Sequence, residues 1–370
     1  MPPSFDVQVS GAGIVGRSLA LSLARLGLSV ALRSAPAKGP PRDDVRAYAL
    51  NAGSVRLLRD LKVWDALPAD GRTPVHDMRV KGDRDSAAIE FSAWEQRVGE
   101  LAVITDAAAL EQELDAAIRF AAHVTRVDHD VPAALVAHCE GRAATSLKGA
   151  DAGHDTFDYG QKAIAARLVA DSAHRHLARQ WFRVPDVLAL LPFDRPEAAR
   201  SYALVWSLPA ARADALLELT PTAFEAELAA ASAGEAGKLA LASERAAWPL
   251  VRSKATAPCG PGWVLLGDAA HVVHPLAGQG LNLGLADVVA LAEVIAGREP
   301  WRGVGDERLL RRYVRRRAAP TEAMLRITDG LQGLFAEADS PLRELRNNGM
   351  TLVNRISPLK RWLASRALDS

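Results

Sequence analysis

The chain has 370 residues, 49% of them hydrophobic, and 45 Lys and Arg stand against 44 Asp and Glu for a net charge of +1. That balance gives no bulk electrostatic case for nucleic acid, and the length suffices for a large core in one or two interleaved domains. The 2 cysteines, Cys139 and Cys259, are far apart and lack CxxC spacing, which excludes a disulfide framework or a cysteine zinc site and leaves both as apolar fillers; no metal is expected.

The first predicted strand carries Phe5, Val7 and Val9 in alternation and enters GAGIVG at Gly11 to Gly16. It starts within a few residues of the N-terminus, leaving no room for a signal peptide, and no apolar run of about 18 residues follows. The expected location is therefore cytoplasmic. Leu19, Ala20, Leu23, Ala24 and Leu26 recur at helical spacing, so the order is strand, glycine turn, helix. Gly11 suits the tight turn, Gly13 lets backbone approach a pyrophosphate, and Gly16 lets helix and strand pack closely, a dinucleotide-binding arrangement. The second strand, Val30-Ala31-Leu32, should deliver an acid to the adenosine ribose, but Arg33 and Ser34 stand there. Serine hydrogen-bonds a hydroxyl without charge, so weaker binding is expected; alternatively Arg33 is merely solvated and neighbouring groups complete the site.

Next come Arg46, in DDVRAYALN, and a predicted helix through Ser54 to Leu67. Residues 76 to 98 read as strands, among them Met78-Arg79-Val80 and Ile89-Glu90-Phe91. Leu101 to Phe120 contains a helix with Leu110, Leu114, Ala117 and Ile118. Residues 158 to 255 alternate like the sheet of a second domain, with an Ala-rich surface helix expected over 223 to 242. No repeat or low-complexity linker appears.

The stretch from Trp263 to Val288 is the most informative. Trp263 to Leu266 read as a buried strand, and Gly267-Asp268 places a carboxylate where that strand stops, which is where α/β sheets bind ligands. Gly278, Gly280 and Gly284 allow close approach, and Leu281, Leu285, Val288, Val289 and Ala292 form a helical stripe. A helix therefore begins near Gln279 to Asn282 with its N–H groups aimed forward.

This stretch closely resembles the second FAD-binding signature of the class A flavin monooxygenases, GD-A-A-H-x-x-x-P-x-x-G-Q-G-x-N. The resemblance implies that Asp268 accepts a hydrogen bond from a ribityl hydroxyl. It also implies that Gly267, Gly278, Gln279, Gly280, Leu281 and Asn282 set the helix end toward the flavin N1/C2=O edge, where a helix N-terminus stabilises the anion of reduced flavin. Arg46 matches a family arginine near the flavin, with a solvated arginine as the alternative. The family also carries a DG motif, roughly G-A-D-G-A-x-S-x-x-R, that joins FAD binding to NAD(P)H use. Here Gly149-Ala150-Asp151 matches its start and the following Ser and Arg are absent, as if a loop were deleted, with Asp151 retained at the cofactor site.

RAYALNAGSVRLL, DYGQKAI, HVVHPLAGQGLNLGLADV and the C-terminal RRYVRRR, TDGL, LRNNGM and PLKRWL resemble the ubiquinone-biosynthesis hydroxylases of this class over nearly the whole chain. The fold implied is α/β: a Rossmann-like FAD-binding domain of GR2 type (1–75, 101–157, 256–298), interleaved with a mixed β-sheet substrate domain (76–100, 158–255) and followed by a C-terminal helical segment (299–370). The activity implied is hydroxylation of a polyprenylated phenol by FAD and O2 through a flavin C4a-hydroperoxide, with NAD(P)H or a partner as reductant. No catalytic acid, base or nucleophile is named; Pro275 and His274 are candidates for orienting substrate, and His271 is structural. Basic residues at 308–317 and 360–366 suggest peripheral contact with a membrane or a biosynthetic complex, against the plainer reading of a solvated helix face. The competing function is an impaired FAD-fold homologue serving as a binding or scaffold component.

Overall fold

A computed structural model describes residues 4–34, 44–82, 88–141, 153–273 and 279–336, with side chains through residue 326. The chain opens with β1 (Phe5–Ser10), α1 (Ile14–Ala24), β2 (Val30–Arg33), β3 (Ala47–Leu50), α2 (Ala52–Asp60), β4 (Arg72–Val75), β5 (Asp77–Lys81), β6 (Ala88–Ser92) and α3 (Ala93–Gln96). Then follow β7 (Ala102–Asp106), α4 (Ala107–Arg119), β8 (Val124–Val127), β9 (Ala133–His138), β10 (His154–Ala170), β11 (Leu177–Arg183), β12 (Asp186–Phe193), β13 (Ser201–Pro209), α5 (Ala210–Glu218) and α6 (Pro221–Ala231). The last group is β14 (Leu239–Leu241), β15 (Ala246–Ala255), β16 (Cys259–Gly260), β17 (Trp263–Leu265), β18 (His271–Val272), α7 (Gly280–Ala296) and α8 (Glu307–Ala336).

The apolar runs around the glycine turn form a six-stranded sheet in the order β16-β17-β9-β1-β2-β8, parallel throughout except at β16. Val7, Val9, Val30, Leu135 and Val264 are fully excluded from solvent, and the polar Gln8 and Ser10 that alternate with the valines on β1 are buried as well, because helices cover both faces of the sheet. A nine-stranded sheet has the order β18-β15-β10-β13-β12-β11-β5-β6, with β14 against β10, and is antiparallel except where β11 meets β5. A third sheet, β3-β7-β4, is antiparallel. The mixed α/β architecture expected from the sequence is present. No helix among the described residues is long and apolar enough to cross a membrane.

Two predicted helices are shorter than their patterns. The one expected through Leu67 ends at Asp60, because the chain turns with Lys62 at φ 62° before a 3-10 turn at Trp64–Ala66. The Ala-rich helix expected over 223–242 stops at Ala231: Ala233, Gly234 and Gly237 take positive φ, and the chain returns as β14. Alanine's helix propensity yields to the pairing that β10 offers.

One buried cation joins the sheets. Arg167 on β10 donates to the Arg46 carbonyl at 2.7 Å and to Asp106 Oδ2 at 3.3 Å, and its guanidinium lies 4.2 Å from the Phe193 ring centroid. Asp106 also caps α4 by accepting from the Ala109 N–H at 2.9 Å. The nine-stranded sheet, β3 and α4 are thus held in fixed relation, and the space between them becomes the site.

Candidate active site

The glycine loop between β1 and α1 is shaped by close backbone approach. A Cβ on Gly16 would lie 1.8 Å from the Gly11 carbonyl oxygen, so only glycine lets α1 sit on the loop. Gly13 caps α1 and borders a cavity of about 700 Å³, with no heavy atom within 4 Å of where its Cβ would stand. That open space is what an approaching pyrophosphate requires.

The carboxyl end of β9 meets the same loop: the Cys139 N–H donates to the Ser10 carbonyl at 2.6 Å, and Glu140 and Gly141 follow. An acid–glycine pair therefore stands at 140–141, ahead of the Gly149-Ala150-Asp151 run, which lies outside the described residues. Glu140-Gly141 stands at a strand end as the acid and glycine of the DG motif would, with a longer acid; counted from this pair, the motif's Ser and Arg positions hold Ala144 and Leu147. The signal was the apolar run AALVA at 133–137, which marks a strand that ends at His138, two residues before the pair. Arg33, where an acid was expected, pairs with Glu140 and with Asp130 at 3.1 Å; it is not merely solvated. His138 and Arg33 together hold the Glu140 carboxyl below its usual range. Ser34 is exposed.

The other wall is the turn after β17 and the start of α7. Gly267 and Asp268 form one 3-10 turn, and Asp268 lines the cavity. Gln279 caps α7, and Gln279, Gly280 and Leu281 line the same space. Asn282 is buried and holds the helix start: its Oδ1 accepts from the Asn51 N–H at 3.1 Å and Ser54 Oγ at 2.8 Å, and its Nδ2 donates to the Ala49 carbonyl at 2.8 Å and Gln279 Oε1 at 3.1 Å. Its side chain thereby docks α7 on β3 and α2. A Cβ on Gly284 would lie 2.7 Å from Val15 Cγ2 and 3.2 Å from Gly267 Cα, so glycine there lets α7 approach both the turn and α1. His271 is buried and bonds through Nε2 to Asp287 at 2.8 Å, the structural part expected of it. Desolvation would lower its pKa, but the Asp287 carboxylate outweighs that and raises it.

Arg46, just before β3, and Tyr48 and Ala49 on it complete the cofactor side. Arg46 makes a bidentate pair with Asp44 at 2.8 and 2.6 Å, which keeps it firmly protonated. Burial pushes the Tyr48 phenol up to about 12. Beyond them the cavity runs to the nine-stranded sheet, where Ala163, Ala165, Ala178, Ala189 and Val205 form the floor and Met78, Phe91 and Trp248 line the sides.

The sequence candidates Gly13, Arg46, Asp268, Gln279, Gly280 and Leu281 thus line one cavity, while Gly11, Gly16, Gly267 and Asn282 hold its walls. Asp151, His274, Pro275 and Gly278 lie outside the described residues. Sequence reasoning missed Glu140, Tyr48, Asp287 and Arg167. Cys139 is buried and Cys259 half-buried, both are free thiols, and no cluster of metal-ligating side chains occurs among the described residues. The dinucleotide loop, the carboxylate at a strand end, the helix N-terminus and the cavity size together fit FAD.

The FAD binding domain family matches residues 92–328. Ubiquinone hydroxylase UbiL of Rhodospirillum rubrum is 30% identical, the alignment covering 99% of this chain and 90% of that protein. The 3-demethoxyubiquinol 3-hydroxylase of Escherichia coli is 30% identical over 98% of both chains. Among solved structures, PqsL of Pseudomonas aeruginosa in complex with 2-aminobenzoylacetate has a TM-score of 0.75 at 19% identity, covering 94% of this chain and 99% of that one. The p-nitrophenol 4-monooxygenase PnpA of Pseudomonas putida has a TM-score of 0.72 at 16% identity, covering 98% and 97%; these two likenesses speak to the fold. The chain belongs to the FAD binding domain family, as a class A FAD-dependent monooxygenase of the ubiquinone-hydroxylase branch.

Proposed function

We propose that the protein hydroxylates the ring of a hydrophobic, polyprenylated phenol in ubiquinone biosynthesis, using FAD, O2 and a reductant such as NAD(P)H. The observation that carries this reading is the single cavity that joins the dinucleotide loop, Asp268 and the α7 N-terminus to an alanine-floored apolar chamber. When bound, FAD supplies the activation of dioxygen and its transfer to an electron-rich ring.

The chain's own groups hold and shelter. Gly13 and the α1 N-terminus would receive the pyrophosphate, Asp268 a ribityl hydroxyl, and the first N–H groups of α7 the electron-rich edge of the reduced ring system. The alanines, Val205 and Leu250 exclude water and present no charge, which suits a long apolar substituent and protects a reactive oxidant from hydrolysis. Arg46, held protonated by Asp44, keeps a fixed positive charge at the border between the two ends.

Peripheral contact with an anionic membrane is part of the proposal through the exposed Arg308 and Arg315 on α8 and through Lys360, Arg361 and Arg366, which lie outside the described residues. In the arginine run on α8, Arg311, Arg312, Arg316 and Arg317 pair with Glu307, Glu299, Glu293 and Asp287. Those four charges are compensated within the chain. Co-sedimentation that does not depend on anionic lipid removes the membrane contact.

The test of the main reading is a purified protein titrated with FAD, reduced anaerobically with NADPH, then mixed with O2 and a prenylated phenol. A hydroxylated product is expected. Bound FAD reduced by dithionite but giving no product from any prenylated phenol sinks it. FAD that NADPH leaves oxidised but dithionite reduces to a competent state points to a partner reductant. The scaffold alternative drew on the Ser and Arg that do not follow Asp151; the acid–glycine pair at 140–141 lacks them too, and FAD that is bound but reduced by neither NADPH nor a partner would favour that alternative.

A further inference from the structure

Asp287 lies two turns inside α7, and its side chain has no solvent exposure. A carboxylate in a dry interior is tolerated only where donors converge on it. Here they come from three separate elements. Oδ2 accepts from the Gly267 N–H at 2.9 Å and faces His271 Nε2 at 2.8 Å; Oδ1 accepts from Arg317 Nε at 2.7 Å. Arg317 also donates to the Leu283 carbonyl at 3.3 Å, and one turn earlier on α8 the Tyr313 hydroxyl donates to the Leu265 carbonyl at 3.1 Å. The turn that bears Asp268, the strand that follows it, and α8 are therefore all referenced to one group on the helix whose N-terminus lines the cavity.

We propose that Asp287 is a positioning residue for the cofactor, fixing the Gly267–Asp268 turn against the α7 N-terminus so that carboxylate and helix end address the same bound FAD. The inference rests on FAD occupying this cavity and is independent of which phenol is hydroxylated. Neither Asp287 nor Arg317 lines the cavity, so their effect on the cofactor passes through the backbone of the turn and helix. Burial alone would raise the Asp287 pKa; His271, Arg317 and the Gly267 N–H outweigh it and keep the group ionised. Asparagine has the same shape but must turn an N–H2 toward His271 and Gly267 or toward Arg317, breaking at least one of the three contacts.

The full chain carrying Asp287→Asn is titrated with FAD by flavin fluorescence, and the visible circular dichroism and reduction potential of the bound flavin are recorded beside the far-ultraviolet spectrum of the apoprotein. Expected are about tenfold weaker FAD binding, a changed visible dichroism and a shifted potential, with an unchanged apoprotein spectrum. Arg317→Lys, which keeps a cation at Oδ1, is expected to restore most of the affinity that Arg317→Ala loses. Wild-type affinity and wild-type flavin spectra in Asp287→Asn overturn the proposal. If Asp287→Asn does not fold, His271→Gln takes its place, with a smaller loss in the same direction expected and unchanged affinity and spectra overturning it. A wild-type chain that takes up no FAD instead overturns the cofactor reading beneath it.

Discussion

The two ends of the cavity are built on opposite principles. At the cofactor end, Asn282, Asp287, Arg46 and Asp106 are each tied by two or more hydrogen bonds or ion pairs across sequence separations as large as 233 residues. At the sheet end, the floor is mainly alanine and valine from four strands, with Gln180 the polar side chain that β11 adds, so shape is the main means to discriminate. A cofactor with fixed polar groups rewards directional bonds; an apolar substituent rewards only excluded volume. Damage to the first end should therefore remove FAD, whereas damage to the second should change which substrate fits.

Gly16→Val tests the polar end most severely. The added Cβ meets backbone at 1.8 Å, with no flexible atom to give way; a loss on the order of 4 kcal/mol and protein that retains no FAD are expected by denaturant titration and visible absorbance. Asn282→Ala leaves the Asn51 N–H and Ala49 carbonyl without their buried partner, so about 3 kcal/mol and a large part of the FAD affinity should go together.

At the apolar end, Ala165→Phe should leave FAD content unchanged while raising the KM for a long-tailed phenol by about tenfold, a difference near 1.4 kcal/mol. Equal losses of FAD and of substrate would break the contrast. A smaller effect concerns pH. His271 has a pKa raised above 6.5, so its contribution is complete below that value and is lost as pH rises through the raised one. As pH rises above 6.5, thermal stability should fall more steeply in the wild type than in His271→Asn. Least of all, Arg316→Ala breaks an exposed pair with Glu293 and should cost under about 0.5 kcal/mol, further reduced by salt.

Much of the cofactor end was legible because its constraints are local. The glycine spacing at 11–16, the strand end at Asp268 and the stripe from Leu281 to Ala292 each lie within one window, and β1, α1, β17 and α7 follow them. The contacts that were not legible join distant segments. Arg33 carries no mark in the sequence of its pairing with Glu140, 107 residues away, nor Asp287 of its partner on α8. The acid–glycine pair at 140–141 was overlooked because a stronger match to the family's Gly-Ala-Asp occurs later in the chain, and the parallel pairing of β9 with β1 is what brings Glu140 beside the glycine loop. The alanine floor was invisible for another reason: alternating alanines in β10 to β12 look like helix formers until neighbouring strands bring them to one face.

Arg167 has a consequence for how a ligand can enter. Its guanidinium is clasped by the Arg46 carbonyl, Asp106 and the Phe193 ring, and parting the nine-stranded sheet from β3 along that line would leave a cation stranded in apolar surroundings. The seam behaves as a riveted joint. Whatever passes into the chamber must do so without prising those two layers apart.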